Sequence, residues 1–219
     1  MSLYPKDKLS LKEIKKFIFV FYTIGILGFI IPYTRDIFIF ITPLALILNI
    51  YLLAIYHYPY DSKHIIIFIS ILLSSFFLEV LGVKTGKIFG TYNYGNALGI
   101  KILETPILIG FNWLFLTYCS TSFWDHLGLK PIFVIILAPL LMVLYDLALE
   151  HVAPALNMWS WEQNTIPITN YLHWYVISMI FVLLFKIFKL NTLNPLAITL
   201  FFTQFAFFIF LAIFFNFIL

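Results

Sequence analysis

This chain has little charge. Only 11% of its 219 residues are Asp, Glu, Lys or Arg, and Arg35 is the single arginine among 13 basic residues. Soluble domains carry about 25% charged residues, so the polar surface of a water-soluble fold is missing. The formal net charge of +3 is spread thinly, with no basic stripe, which excludes nucleic acid as a partner. Cysteine is reduced to Cys119, so there is no intrachain disulfide and no thiolate metal site. No segment alternates apolar and polar residues as a membrane strand does, which excludes a β-barrel. The GxSxG and GxxxxGK[ST] motifs are absent, and the five histidines lack the spacing of metal ligands.

What remains is hydrocarbon. Hydrophobic residues make up 63% of the chain and mean hydropathy is +1.01, which predicts an integral membrane protein. Seven segments approach the roughly 20 residues needed to cross a bilayer: 17–33, 37–56, 65–83, 103–119, 132–149, 171–188 and 196–219. The expected fold class is all-α, a polytopic membrane helical bundle of about seven transmembrane helices forming one domain over residues 1–219. Ser10 and Glu13 have the spacing of a capping box before the first segment. No small-residue cleavage site follows that segment, so an uncleaved helix is expected rather than a signal peptide.

Orientation follows from the basic residues. Lys6, Lys8, Lys12, Lys15, Lys16, Lys63, Lys130, Lys186 and Lys189 fall on one side; Arg35, Lys84, Lys87 and Lys101 fall on the other. This predicts a multi-pass protein of the cell membrane with a cytoplasmic N-terminus. With seven crossings, the loops after the third and fifth segments emerge at the same face. Glu79, Glu104, Asp146, Glu150, His173 and Trp174 would then gather near one membrane surface.

Acids inside apolar segments are costly and point to function. Asp146 and Glu150 are spaced i, i+4, which stacks them on one helical face. Glu79 falls about one turn inside the end of its segment. Apolar surroundings favour the neutral form of a carboxylic acid, the form a general acid needs. The plainer alternative is that the pair caps a helix end or binds Lys84 or Lys87. The glycine-rich run from Gly82 to Tyr94 reads as a folded lid, with Tyr92 and Tyr94 facing one way if extended. Trp159 and Trp161 form a Trp-Ser-Trp step, followed by Asn170 and Trp174. Their aromatic faces suit a cation or a conjugated ligand, although tyrosines and tryptophans also collect at membrane interfaces. Asn112, beside Trp113, is a buried amide that could hold a water or join helices.

The ordered run Glu79, Gly82, Thr85, Gly86, Phe89, Gly90, Tyr92 and Tyr94, followed by Leu98, Gly99, Pro106 and Trp113, resembles the CruF-type carotenoid biosynthesis proteins, membrane carotenoid 1,2-hydratases. A second block, Asp146, Glu150, Trp159, Trp161, Ile166, Pro167, Asn170 and Trp174, resembles the same family. Two positions depart from the family pattern: Glu150-His151 stands where Asp-Pro is expected, and His173 where glycine is usual. The resemblance covers about the middle half of the chain.

It implies addition of water to the terminal C1=C2 bond of an acyclic carotenoid, with no metal or other cofactor. Asp146 would be the leading proton donor, with Glu79 or Glu150 orienting water or holding a second proton. Tyr92, Tyr94, Asn112, Trp113, Trp159, Trp161, Asn170 and Trp174 would bind the substrate. The implied partners are the carotenoid, membrane lipid and other enzymes of the pathway. An acid-initiated cyclase or isomerase would use the same acids. A non-catalytic lipid- or carotenoid-binding or transport protein is the alternative from another class.

Overall fold

The computed structural model describes residues 9–162 and 164–218. Lys6 and Lys8 of the lysine tally, and Leu219 at the end of the last expected segment, lie outside the described residues. Among the described residues there are seven α-helices: α1 (Leu11–Ile30), α2 (Pro32–Tyr56), α3 (Ser62–Thr85), α4 (Leu108–His126), α5 (Pro131–Glu150), α6 (Ile168–Ile187) and α7 (Ala197–Ile213), the last continued by a π-helical turn, Phe214–Ile218. Between them run four short strands: β1 (Tyr92–Tyr94), β2 (Lys101–Ile102), β3 (Thr105–Pro106) and β4 (Trp159–Trp161).

Local chemistry sets the helix ends. Ser10 and Glu13 form a reciprocal capping box, and it opens α1 itself. A single residue, Ile31, separates α1 from α2, and Pro32 starts α2, where its missing N–H costs nothing. The last carbonyls of α1 are satisfied from α2: Thr34 Oγ1 donates to Gly28 O at 2.8 Å and Arg35 Nε to Phe29 O at 2.9 Å. Asp61 caps the start of α3, and Gly86 ends it in the left-handed conformation, with φ of 64°.

Five helices, not seven, are long and apolar enough to cross a membrane: Pro32–Tyr56, Ser62–Thr85, Pro131–Glu150, Ile168–Ile187 and Ala197–Phe217. The expected seven-span bundle is therefore corrected to a multi-pass protein with five such helices among the described residues. α1 fails because Lys12, Glu13, Lys15 and Lys16 occupy its first turns. The apolar remainder, residues 17–30, extends about 21 Å at the helical rise, short of the ~30 Å hydrocarbon core. α4 fails for a different reason. It carries Asn112, Thr117, Ser120, Thr121, Ser122, Asp125 and His126, and it packs against α2, α3, α5, α6 and α7. Helices surround it, so its surface is selected for close packing rather than for contact with lipid. Gly110 illustrates the fit: a methyl group there would come within 2.5 Å of the Leu72 carbonyl oxygen on α3.

The fourth expected segment also starts too early. Residues 101–106 form a tight hairpin, β2 on β3, whose turn places Leu103 and Glu104 at positive φ. Glu104 is exposed at its tip and takes no part in the acid cluster. The main apolar cluster draws on all seven helices, and a smaller one is built on Val134, Ala138 and Val182 of α5 and α6.

Candidate active site

The site is built around β1 and β4, which pair antiparallel with Tyr92 opposite Trp161, Asn93 opposite Ser160 and Tyr94 opposite Trp159. Strand side chains alternate in direction, so the Tyr-Asn-Tyr and Trp-Ser-Trp segments each turn two aromatics inward and one small polar residue outward. The four inward rings form cross-strand pairs, with centroids 5.2 Å apart for Tyr92–Trp161 and 6.1 Å for Tyr94–Trp159. The convergence that the sequence placed on an even crossing pattern is thus carried by direct strand pairing.

Each half of this ribbon holds one carboxylate. Tyr92 and Tyr94 both donate to Glu79 Oε2, the latter at 2.8 Å, and Trp113 Nε1 donates to Oε1 at 2.8 Å. Trp159 Nε1 and Trp161 Nε1 donate to Glu150 Oε2 at 3.0 and 2.7 Å. Burial, and then the adjoining Glu79 carboxylate, push the two tyrosine hydroxyls upward, so they stay neutral donors. Gly82, one turn beyond Glu79, makes the approach possible. A methyl group there would meet the Phe89 ring at 2.7 Å and the Tyr92 hydroxyl at 3.0 Å.

Asn170 on α6 joins the two acids of α5. Its Nδ2 donates to Asp146 Oδ2 at 2.9 Å and reaches Glu150 Oε1 at 3.4 Å. Asp146 is completely buried, and its other oxygen, Oδ1, has no hydrogen-bond partner. The three carboxyl groups lie within electrostatic reach of one another. Among the described residues no lysine or arginine forms an ion pair with any of them, which removes Lys84 and Lys87 as partners. No group of three or more His, Cys, Asp or Glu side chains is disposed to hold a metal ion among the described residues.

A cavity of about 20 Å³ lies between the acids, walled by Glu79, Glu150, Tyr92, Tyr94, Trp159, Trp161, Asn170, Trp174, Phe89 and Ile109. That volume holds about one water molecule. Trp174 reaches it by stacking on Trp113 at 4.1 Å.

The family follows from a match over most of the chain. The model of the carotenoid biosynthesis protein family matches residues 41–219. The chain belongs to that family. The matched region contains every residue of the cluster described above, whereas α1 and the start of α2 lie before it. No curated protein and no solved structure matches the chain.

The residues singled out from the sequence divide into two groups. Glu79, Glu150, Tyr92, Tyr94, Trp159, Trp161, Asn170 and Trp174 share the small cavity, with Trp113 bonded to Glu79 just behind it. Asp146 is set back behind Asn170, and Asn112 lines a neighbouring cavity instead. His151 and His173 each share a hydrogen bond with the carbonyl four residues earlier and stay out of the cluster. Two residues escaped the sequence reading. Tyr145 OH and Gln204 Oε1 are buried without partners in the wall of the neighbouring cavity. The available signal was an isolated glutamine in a Phe-rich run, a polar group where hydrocarbon is the rule.

Proposed function

We propose that this member of the carotenoid biosynthesis family is a carotenoid 1,2-hydratase. The observation that carries the reading is a one-water cavity held between two buried carboxyl groups, Glu79 and Glu150. Cyclisation of the same substrates requires water to be kept from the cation, and a water-sized space between acids supports hydration instead.

The donor pattern supports a division of labour. Glu79 receives three donors, which suits a carboxylate that accepts hydrogen bonds and orients water. Glu150 Oε1 has only the long contact to Asn170, and it borders the cavity. Asp146 and Glu150 are close, buried and without a cation, so they suit a pair that shares a proton. Because Asp146 is set back from the cavity, Glu150 takes over the direct donation first expected of Asp146. Asp146, with Oδ1 unpartnered, becomes the proton's reserve.

In this mechanism the Glu150 carboxyl proton passes to C2 of the terminal alkene. The C1=C2 π bond breaks and leaves a tertiary cation at C1, facing the rings of Tyr92, Trp161 and Trp174. The water held by Glu79 forms a bond to C1 through its oxygen. The resulting oxonium returns one proton to the Asp146–Glu150 pair, so the net change is addition of one water and the acid is restored. The lysines and the single arginine support an orientation: Lys12, Lys15, Lys16, Lys63, Lys130, Lys186 and Lys189 sit at the helix ends opposite the acids. The N-terminus is therefore cytoplasmic in this reading, and the acids lie toward the other face.

The test is expression in cells that accumulate lycopene, followed by mass analysis of the pigments. A product heavier by one water is expected. An isomeric product of unchanged mass would make the protein a cyclase or isomerase, and unaltered pigment would remove hydration of this substrate.

A further inference from the structure

A space of one water cannot hold the length of a polyene, so the chain of the substrate needs another place to lie. A cavity of about 390 Å³ lies between α1, α2 and α7, with Met158 in its wall. That is within the range of small-molecule sites, about 300–1,000 Å³. Its walls are almost wholly apolar, with Phe21, Phe29, Phe38 and Phe207 among them. Ile24, Ile41 and Leu44 line it and are also exposed, so it opens on the outer, lipid-facing surface of the bundle.

This cavity adjoins the acids through shared walls. It shares Leu46, Met158, Gln204 and Phe208 with a connecting cavity of about 20 Å³. The connecting cavity in turn shares Ile109 and Trp159 with the space between Glu79 and Glu150. At the junction, Gln204 Oε1 and Tyr145 OH have no partner although both are buried. An idle acceptor and an idle hydroxyl beside an apolar passage are costly unless something polar, such as water or a terminal alcohol, passes them.

We propose that the α1–α2–α7 cavity is the binding site for the chain of an acyclic polyene, entered from the lipid, with its reacting end passing Met158 and Gln204 to the acids. The proposal rests on the hydratase reading for the identity of the reacting end, but not for binding itself. The occupant is a long apolar conjugated chain, because the walls offer many aromatic edges and few hydrogen-bonding groups. The rest of such a molecule remains in the bilayer, where transfer costs nothing.

The test uses the full-length protein purified in detergent from lycopene-accumulating cells, with bound pigment read from visible absorbance per mole of protein. Wild type and Asp146→Asn are expected to retain pigment alike. Ala45→Trp fills the cavity and is expected to lower retention by about tenfold or more. Ile47→Trp adds the same side chain on the exposed side of the same helix and is expected to change nothing. Only variants eluting as a single monodisperse peak are scored, and Ala45→Leu carries the comparison if Ala45→Trp does not fold. Retention by the folded cavity variant equal to wild type would overturn the proposal, as would a wild-type protein carrying no pigment. Retention that is sensitive to Ala45→Trp, without a hydrated product, would leave the cavity standing and the hydratase reading fallen.

Discussion

Asn170 holds Asp146 by one carboxyl oxygen only, donating to Oδ2 at 2.9 Å while Oδ1 stays buried and unpaired. The same amide touches Glu150, so the unpaired oxygen belongs to a linked set rather than to an isolated acid. This asymmetry distinguishes Asp146 from Glu79, both of whose oxygens are occupied.

Replacing Glu150 with Gln removes the acid that borders the cavity, and Asp146→Asn removes its proton reserve. Each is expected to lower formation of the hydrated product by about 10²–10⁴-fold, the usual worth of a positioned general acid. Pigment mass analysis normalised to membrane-inserted protein measures the loss. Wild-type yields from both variants would take the pair out of the mechanism.

The indole N–H groups can be tested without disturbing packing much. Trp161→Phe retains a ring beside Tyr92 but leaves Glu150 Oε2 one donor short. An unmet buried hydrogen bond costs about 1–3 kcal/mol, so thermal unfolding in detergent should shift downward. Tyr94→Phe should do the same at Glu79. An unchanged midpoint in both would show that these donors contribute nothing to folding.

Gly82→Ala places a methyl group against the Phe89 ring and the Tyr92 hydroxyl. Helix propensity alone would favour alanine by about 1 kcal/mol. The expected result is nevertheless lower stability and lower product yield, because the Tyr92–Glu79 bond must lengthen. A stabilised, fully active variant would mean that the lid yields at no cost.

At the far end of the bundle, His57 shares a 2.8 Å hydrogen bond with Tyr118 and lies beside His64. Burial, then the neighbouring His64, lower its pKa from 6.5 to about 4. Between these values the unfolded chain takes up a proton that the folded chain refuses. Stability from this source is therefore whole above the upper value and falls as pH drops toward the lower one. The fall in unfolding temperature from about pH 7 to about pH 5 should be smaller in His57→Gln than in wild type. Equal falls would assign the acid sensitivity elsewhere.

Several features of the site are legible in the chain. Tyr-x-Tyr and Trp-x-Trp have the period of a strand, and Asp146 and Glu150 that of a helix face. Acids in apolar runs mark themselves by cost. What spacing cannot provide is the partner of each strand, because Tyr92 and Trp161 meet only when α3, α4, α5 and α6 have packed. Nor does helical spacing decide that Glu150 borders the cavity while Asp146 stands behind Asn170. The span count fails at α4 because hydropathy measures affinity for lipid, whereas this helix is enclosed by protein. The Leu103–Glu104 turn is hidden for another reason: non-glycine residues at positive φ leave no compositional mark.

Glu79 draws every donor from residues at most 34 positions downstream, and Glu150 draws both indoles from within 11. Such short loops close early and at little entropic cost. As the nascent chain leaves the insertion machinery, each acid can be quenched by its own neighbourhood before the other half exists. The β1–β4 seam then clasps two pieces in which Glu79 and Glu150 have already met their donors.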